Sequence, residues 1–87
     1  MSFINICFIN NGQPINMQAT SDMMFAELAY KYFQKYGINQ DTEQPKFIFN
    51  SKEISASSFK TLEELKIFNG SRIDVIIGND VLGSNKY

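Results

Sequence analysis

The sequence predicts an α+β domain, a single helix packed on one mixed sheet, and three observations predict it. Segments that alternate apolar and polar residues with a period of two stand near both ends of the 87-residue chain. One stretch between them carries apolar residues at spacings of three and four. Asn11-Gly12, the strongest short-range hairpin signal, directly follows the first alternating segment. A chain of this length buries only about 60 to 65% of its surface, which leaves room for one core and no second domain.

The first strand is Phe3 to Asn10, where Ile4, Ile6 and Phe8 form the more uniformly apolar set. A type I′ turn at Asn11-Gly12 requires positive φ at both central positions, which Asn and Gly tolerate. If Asn10 faces Gln13 across it, Phe8 faces Ile15, Ile6 faces Met17 and Ile4 faces Ala19, so all six apolar residues share one face. Pro14 has no N–H, which places the second strand at a sheet edge or the proline at a non-bonded position. Thr20-Ser21-Asp22 offers N-cap candidates for a helix of about four turns whose buried stripe is Phe25, Leu28, Ala29, Tyr32 and Phe33. Gly37 ends that helix, with Ile38 packing back on its last turn as in a Schellman stop.

Asn39 to Gln44 reads as a loop closed by Pro45, and Lys46-Phe47-Ile48-Phe49-Asn50 as a strand. A turn at Asn50-Ser51-Lys52 leads to a brief partner at Glu53-Ile54-Ser55. Thr61-Leu62-Glu63-Glu64-Leu65 reads as a short helical turn capped by Thr61, with both leucines turned inward. Arg72 to Ile77 is the last strand, expected to pair in parallel with the first at the sheet centre. The domain is expected to span residues 1–77, followed by a flexible C-terminal tail over 78–87 that has little to bury.

Composition narrows the function. The chain has no His, one Cys and a formal charge of −1. A Cys/His zinc site, a Ser/His/Asp or Cys/His catalytic pair and an internal disulfide are each excluded, because ligands or bases are missing. The near-zero charge argues against nucleic acid, which needs a basic stripe to displace counterions. No apolar run approaches the roughly 20 residues of a membrane helix, and Met1-Ser2-Phe3-Ile4-Asn5 carries no basic leader region. One unpaired thiol without a secretory signal fits an intracellular setting, cytoplasmic or nuclear. The five glycines are scattered singly, so no phosphate loop exists, and no cofactor, metal or small-molecule substrate is expected. Glu63 and Glu64 point in different directions from one turn and make no acid/base dyad. Cys7 has no His to activate it and is read as a passive surface thiol. The expected class is a non-enzymatic interaction module.

From Ile4 to Ile77 the chain resembles a ubiquitin-like β-grasp domain of the ubiquitin/SUMO type. The resemblance rests on the hairpin, the helix ending in Gly37-Ile38, the Lys46-Phe47-Ile48-Phe49 strand with Lys52 in the following turn, and Thr61-Leu62-x-x-Leu65-x-Ile67 before the last strand. It implies the order strand, strand, helix, strand, strand, short helix, strand. The loop from Gly37 to Lys46 is about two residues longer than in ubiquitin. The tail also departs from the pattern, since it lacks the diglycine that conjugatable modifiers expose.

The sheet face opposite the helix is expected to carry Cys7 and Ile9, Lys46 and Ile48, and Arg72, Asp74 and Ile76. The resemblance makes this face the docking surface for a protein partner, centred on Ile48 and Ile76. Asp74 stands where ubiquitin has a His, so readers that need that imidazole are expected to bind poorly. Two solvent-facing isoleucines rimmed by Lys46, Arg72 and Asp74 also have, on physical grounds, the layout of an apolar centre with a polar rim. Against this, single exposed β-branched residues are ordinary in strands. The leading expectation is therefore a non-covalent ubiquitin-like module, monomeric in isolation, binding a partner protein or a larger assembly. Two alternatives stand beside it: a single-glycine modifier precursor processed after Gly83, and a structural subunit of a larger complex.

Overall fold

The structure is a computed structural model and describes residues 3–77. The expected tail over 78–87, with Gly83, lies outside the described residues. The elements run β1 (Phe3–Asn10), β2 (Gln13–Thr20), α1 (Phe25–Tyr36), α2 (Gln40–Glu43), β3 (Pro45–Phe49), β4 (Lys52–Ile54) and β5 (Arg72–Ile77). They form one mixed sheet in the order β2-β1-β5-β3-β4, with β1 and β5 parallel and every other pair antiparallel. An α+β architecture with the first and last strands side by side is thus as the sequence indicated.

The hairpin takes the expected register, with Phe8 opposite Ile15, Ile6 opposite Met17 and Ile4 opposite Ala19. Asn11 and Gly12 both have positive φ, 54° and 75°. The Cys7 amide donates to the Ser71 carbonyl at 2.9 Å on the β5 side. Because bonding direction alternates along a strand, the even-numbered residues of β1 bond β2, and the Ile9–Pro14 pair is a non-bonded one. The nitrogen of Pro14 therefore faces the open edge, where its missing N–H costs nothing.

Helix α1 starts later than expected and is 12 residues long. Neither Thr20, Ser21 nor Asp22 caps it; Met24 is the N-cap residue and makes no side-chain bond. The segment before the helix is instead held extended, by a Met24–Thr61 bridge and by the Leu62 amide donating to the Met23 carbonyl at 2.9 Å. The first helical amides find distant acceptors, Phe25 donating to the Lys60 carbonyl and Ala26 to that of Ser58, both at 2.9 Å. Tertiary contact thus performs the work assigned to a local cap. At the other end Gly37 sits at φ 65° and the Ile38 amide donates to the Phe33 carbonyl at 2.9 Å, the longer bond of a Schellman stop, while the Gly37 amide shares that acceptor.

Two short elements differ from expectation. The stretch after Gly37 is not all loop: Asn39 Oδ1 accepts from the amides of Asp41 (2.9 Å) and Thr42 (3.3 Å) and nucleates α2. Conversely, the short helix that the resemblance implied between β4 and β5 is a single turn, the helical turn capped by Thr61 that the residues themselves indicated. There the Glu64 amide donates to Thr61 Oγ1 at 3.1 Å and the Thr61 amide to Glu64 Oε1 at 2.8 Å, a reciprocal capping box. Lys66, at φ 63°, ends the turn at once. Leu62 is fully buried and Leu65 half-buried, so the leucines do face inward.

The core lies between α1 and one sheet face. Phe47 is its hub, with ring centroids 5.2 Å from Phe25, 5.7 Å from Phe33, 5.8 Å from Phe8 and 6.0 Å from Tyr32. These tilted and edge-on pairings suit aromatic quadrupoles. Since the apolar side of every strand is committed to this core, the other side of the sheet faces water.

Candidate docking face

The side-chain period of two puts Cys7 and Ile9 of β1, Lys46 and Ile48 of β3, and Arg72, Asp74 and Ile76 of β5 on the face away from α1. All seven residues singled out from the sequence are therefore brought to one surface. The cross-strand register fixes their neighbours: Cys7 lies beside Arg72, Ile9 beside Asp74, Asp74 beside Ile48, and Ile76 beside Lys46. Ile76 is 46% exposed, Ile9, Ile48 and Cys7 are half-buried, and Lys46, Arg72 and Asp74 are exposed. An open depression of about 450 Å³ runs over the upper part of this face, lined among others by Ile9, Gly12, Ile48, Asp74 and Ile76.

One residue of the face escaped the sequence reading. The two-residue turn Asn50-Ser51 sets Phe49 opposite Lys52 and Ile48 opposite Glu53, so the exposed Glu53 of β4 extends the row that holds Ile9, Asp74 and Ile48. The signal was present, because a two-residue turn fixes a hairpin register as surely at Asn50-Ser51 as at Asn11-Gly12. Both turn residues have positive φ, 52° and 66°, a conformation uncommon for Ser, and that is why the turn was harder to recognise.

The face combines half-buried and exposed aliphatic side chains with exposed charges. Aliphatic side chains supply area to remove from water, and the charges at its margin and centre supply register. Among the described residues no group of three or more His, Cys, Asp or Glu could hold a metal ion. No helix among them is long and apolar enough to cross a membrane.

No protein-family model matches the chain, and no curated protein matches it in sequence. Solved structures do match in shape. Caldiarchaeum subterraneum ubiquitin superposes with a TM-score of 0.73 at 15% identity, over 87% of this chain and 94% of that one. An N-terminal ubiquitin-like domain solved in solution gives 0.71 at 15% identity, over 86% of this chain and 74% of that one. ATBAG1 in complex with HSP70 gives 0.72 at 16% identity over 85% of this chain, which spans only 40% of that one. The strand order, the parallel pairing of β1 with β5, the single long helix across the sheet and these superpositions agree that the chain folds as a ubiquitin-like β-grasp domain.

Proposed function

We propose that this domain is a non-covalent protein-interaction module that binds a partner protein through the sheet face around Ile48 and Ile76. The observation that carries the reading is the exposure of Ile76 beside the half-buried Ile48 and Ile9, on a face whose opposite side already has its full complement of core contacts. Apolar side chains left at a sheet surface, flanked by Lys46 and Arg72 and interrupted by Asp74 between Ile9 and Ile48, match an apolar contact area with polar groups that fix its register. That one of the similar structures is of a protein in complex with HSP70 is consistent with a partner protein, without naming one for this chain.

Affinity capture with the wild-type chain beside an Ile48→Ala/Ile76→Ala double variant tests the reading. Both residues lie outside the buried core, so the variant is expected to keep its fold. Any partner retained by wild type should be lost by about tenfold or more, because truncating two residues at the centre of a contact removes its anchors. An exchange on the helix surface, Glu27→Ala/Lys31→Ala, should leave capture unchanged. Equal capture by the Ile48/Ile76 variant of every partner found would refute this face.

A further inference from the structure

We infer that the occupant of this face is an amphipathic helix laid across the strands, carrying cationic side chains in alternation with apolar ones along its contact stripe. The inference rests on the docking-face reading and adds the chemistry and direction of the partner.

The paired registers line up one residue from each strand in a continuous row across the whole sheet. Pro14 of β2 faces Ile9 of β1, Ile9 lies beside Asp74 of β5, Asp74 beside Ile48 of β3, and Ile48 beside Glu53 of β4. From Ile9 onward the row reads aliphatic, carboxylate, aliphatic, carboxylate. Arg72 lies on one side of it, next to Cys7, and Lys46 on the other, next to Ile76. Anionic positions thus form the centre line of the face and cationic ones its two flanks.

A partner that covers Ile9 and Ile48 must also cover Asp74, which stands between them. An uncompensated carboxylate under an apolar lid loses its hydration and gains nothing in return. A wholly apolar stripe is therefore rejected, and an acidic one more so. A guanidinium or ammonium over Asp74 restores the lost interaction, and Arg does it best because its planar fork can engage both carboxylate oxygens.

Spacing selects a helix lying across the strands. Adjacent strands are about 4.8 Å apart, so Ile9, Asp74, Ile48 and Glu53 project at successive steps of about that length. A helix rises about 1.5 Å per residue, and positions i, i+3, i+7 and i+10 fall at roughly 0, 4.5, 10.5 and 15 Å on one side of it. Read from the Ile9 end, the matching stripe is apolar at i, basic at i+3, apolar at i+7 and basic at i+10, with acidic residues flanking it to meet Arg72 and Lys46.

The test is a titration of the isotopically labelled chain, followed through its amide resonances, with two synthetic alanine-based helical peptides. Both carry Leu at i and i+7; one has Arg at i+3 and i+10 and the other has Glu there. The Arg peptide is expected to shift the amides around Ile9, Ile48, Glu53 and Asp74 and to bind at least about fivefold more tightly than the Glu peptide. An Asp74→Lys/Glu53→Lys variant should reverse that order. An Asp22→Lys/Glu27→Lys variant, with the same change in net charge at exposed sites off this face, should not. Equal binding of both peptides at this face would overturn the charge pattern and leave the docking face standing. An Arg preference that survives reversal at Asp74 and Glu53 would also overturn it. Absence of shifts at this face with both peptides would overturn the inference, while the docking face itself is decided by capture with the Ile48→Ala/Ile76→Ala variant.

Discussion

Tyr32 shows how a single side chain can be at odds with its surroundings. Its ring is fully buried, 4.6 Å from that of Phe8 and 5.2 Å from that of Tyr36, yet its hydroxyl has no hydrogen-bond partner. Burial pushes the phenol above the ordinary tyrosine range; the neighbouring Tyr36 adds to the shift, and Asn10 draws it slightly back without forming a full hydrogen bond. A folded-state pKa raised above the unfolded value contributes stability that is intact below about pH 10 and is lost as pH climbs through the folded value. Tyr32→Phe is therefore expected to raise stability at neutral pH by about 1 kcal/mol, since an unsatisfied buried hydroxyl is removed. It should also flatten the alkaline fall in stability. Denaturant unfolding of both forms at neutral pH and above pH 10, the latter as a rough bound, measures both effects, and a destabilised Tyr32→Phe would mean that the hydroxyl is satisfied after all.

Among the elements, the capped turn at Thr61 joins local chemistry to helix placement. Its two reciprocal bonds with Glu64 hold the segment whose carbonyl at Lys60 receives the first amide of α1 and whose Leu62 amide anchors Met23. Losing the cap should thus loosen the start of α1 as well as the turn itself. Thr61→Ala is expected to cost about 1 kcal/mol, and amide exchange should rise at Phe25 and Ala26 as well as at Glu64. Faster exchange confined to the turn would show that the helix start holds without it. The same element marks a limit of sequence reading. Thr61 and its leucines were legible because a cap is local, whereas the start of α1 was misread at Thr20-Ser21-Asp22 because its true acceptors, Lys60 and Ser58, lie more than thirty residues away in the chain.

At the scale of the molecule, stability is concentrated in one aromatic cluster. Phe47 meets Phe8, Phe25, Tyr32 and Phe33, joining β3 to β1 and to both halves of α1. Phe47→Ala should cost about 3 to 5 kcal/mol, through lost transfer energy and the cavity left behind. Domains of this size hold only about 5 to 15 kcal/mol in total. The thermal midpoint is then expected to fall by well over ten degrees, a rough figure for a chain of this length. Because the aromatic cluster and the proposed docking face lie on opposite sides of the sheet, core and surface substitutions should separate cleanly: Phe47→Ala is expected to act on folding, and Ile48→Ala with Ile76→Ala on the proposed binding.

By itself the sequence determined the strands, the register of the first hairpin, the Gly37 stop, the inward stripe of α1 and the seven residues of the outer face. Each of these follows from local rules, a period of two or 3.6, a turn that demands positive φ, or a cap within four residues. Only the tertiary structure decided where α1 begins, that Asn39 starts a short helix, and that Glu53 joins Ile9, Asp74 and Ile48 in one row. Those outcomes depend on hydrogen bonds and registers between segments far apart in the chain, which become fixed only when the strands are placed side by side.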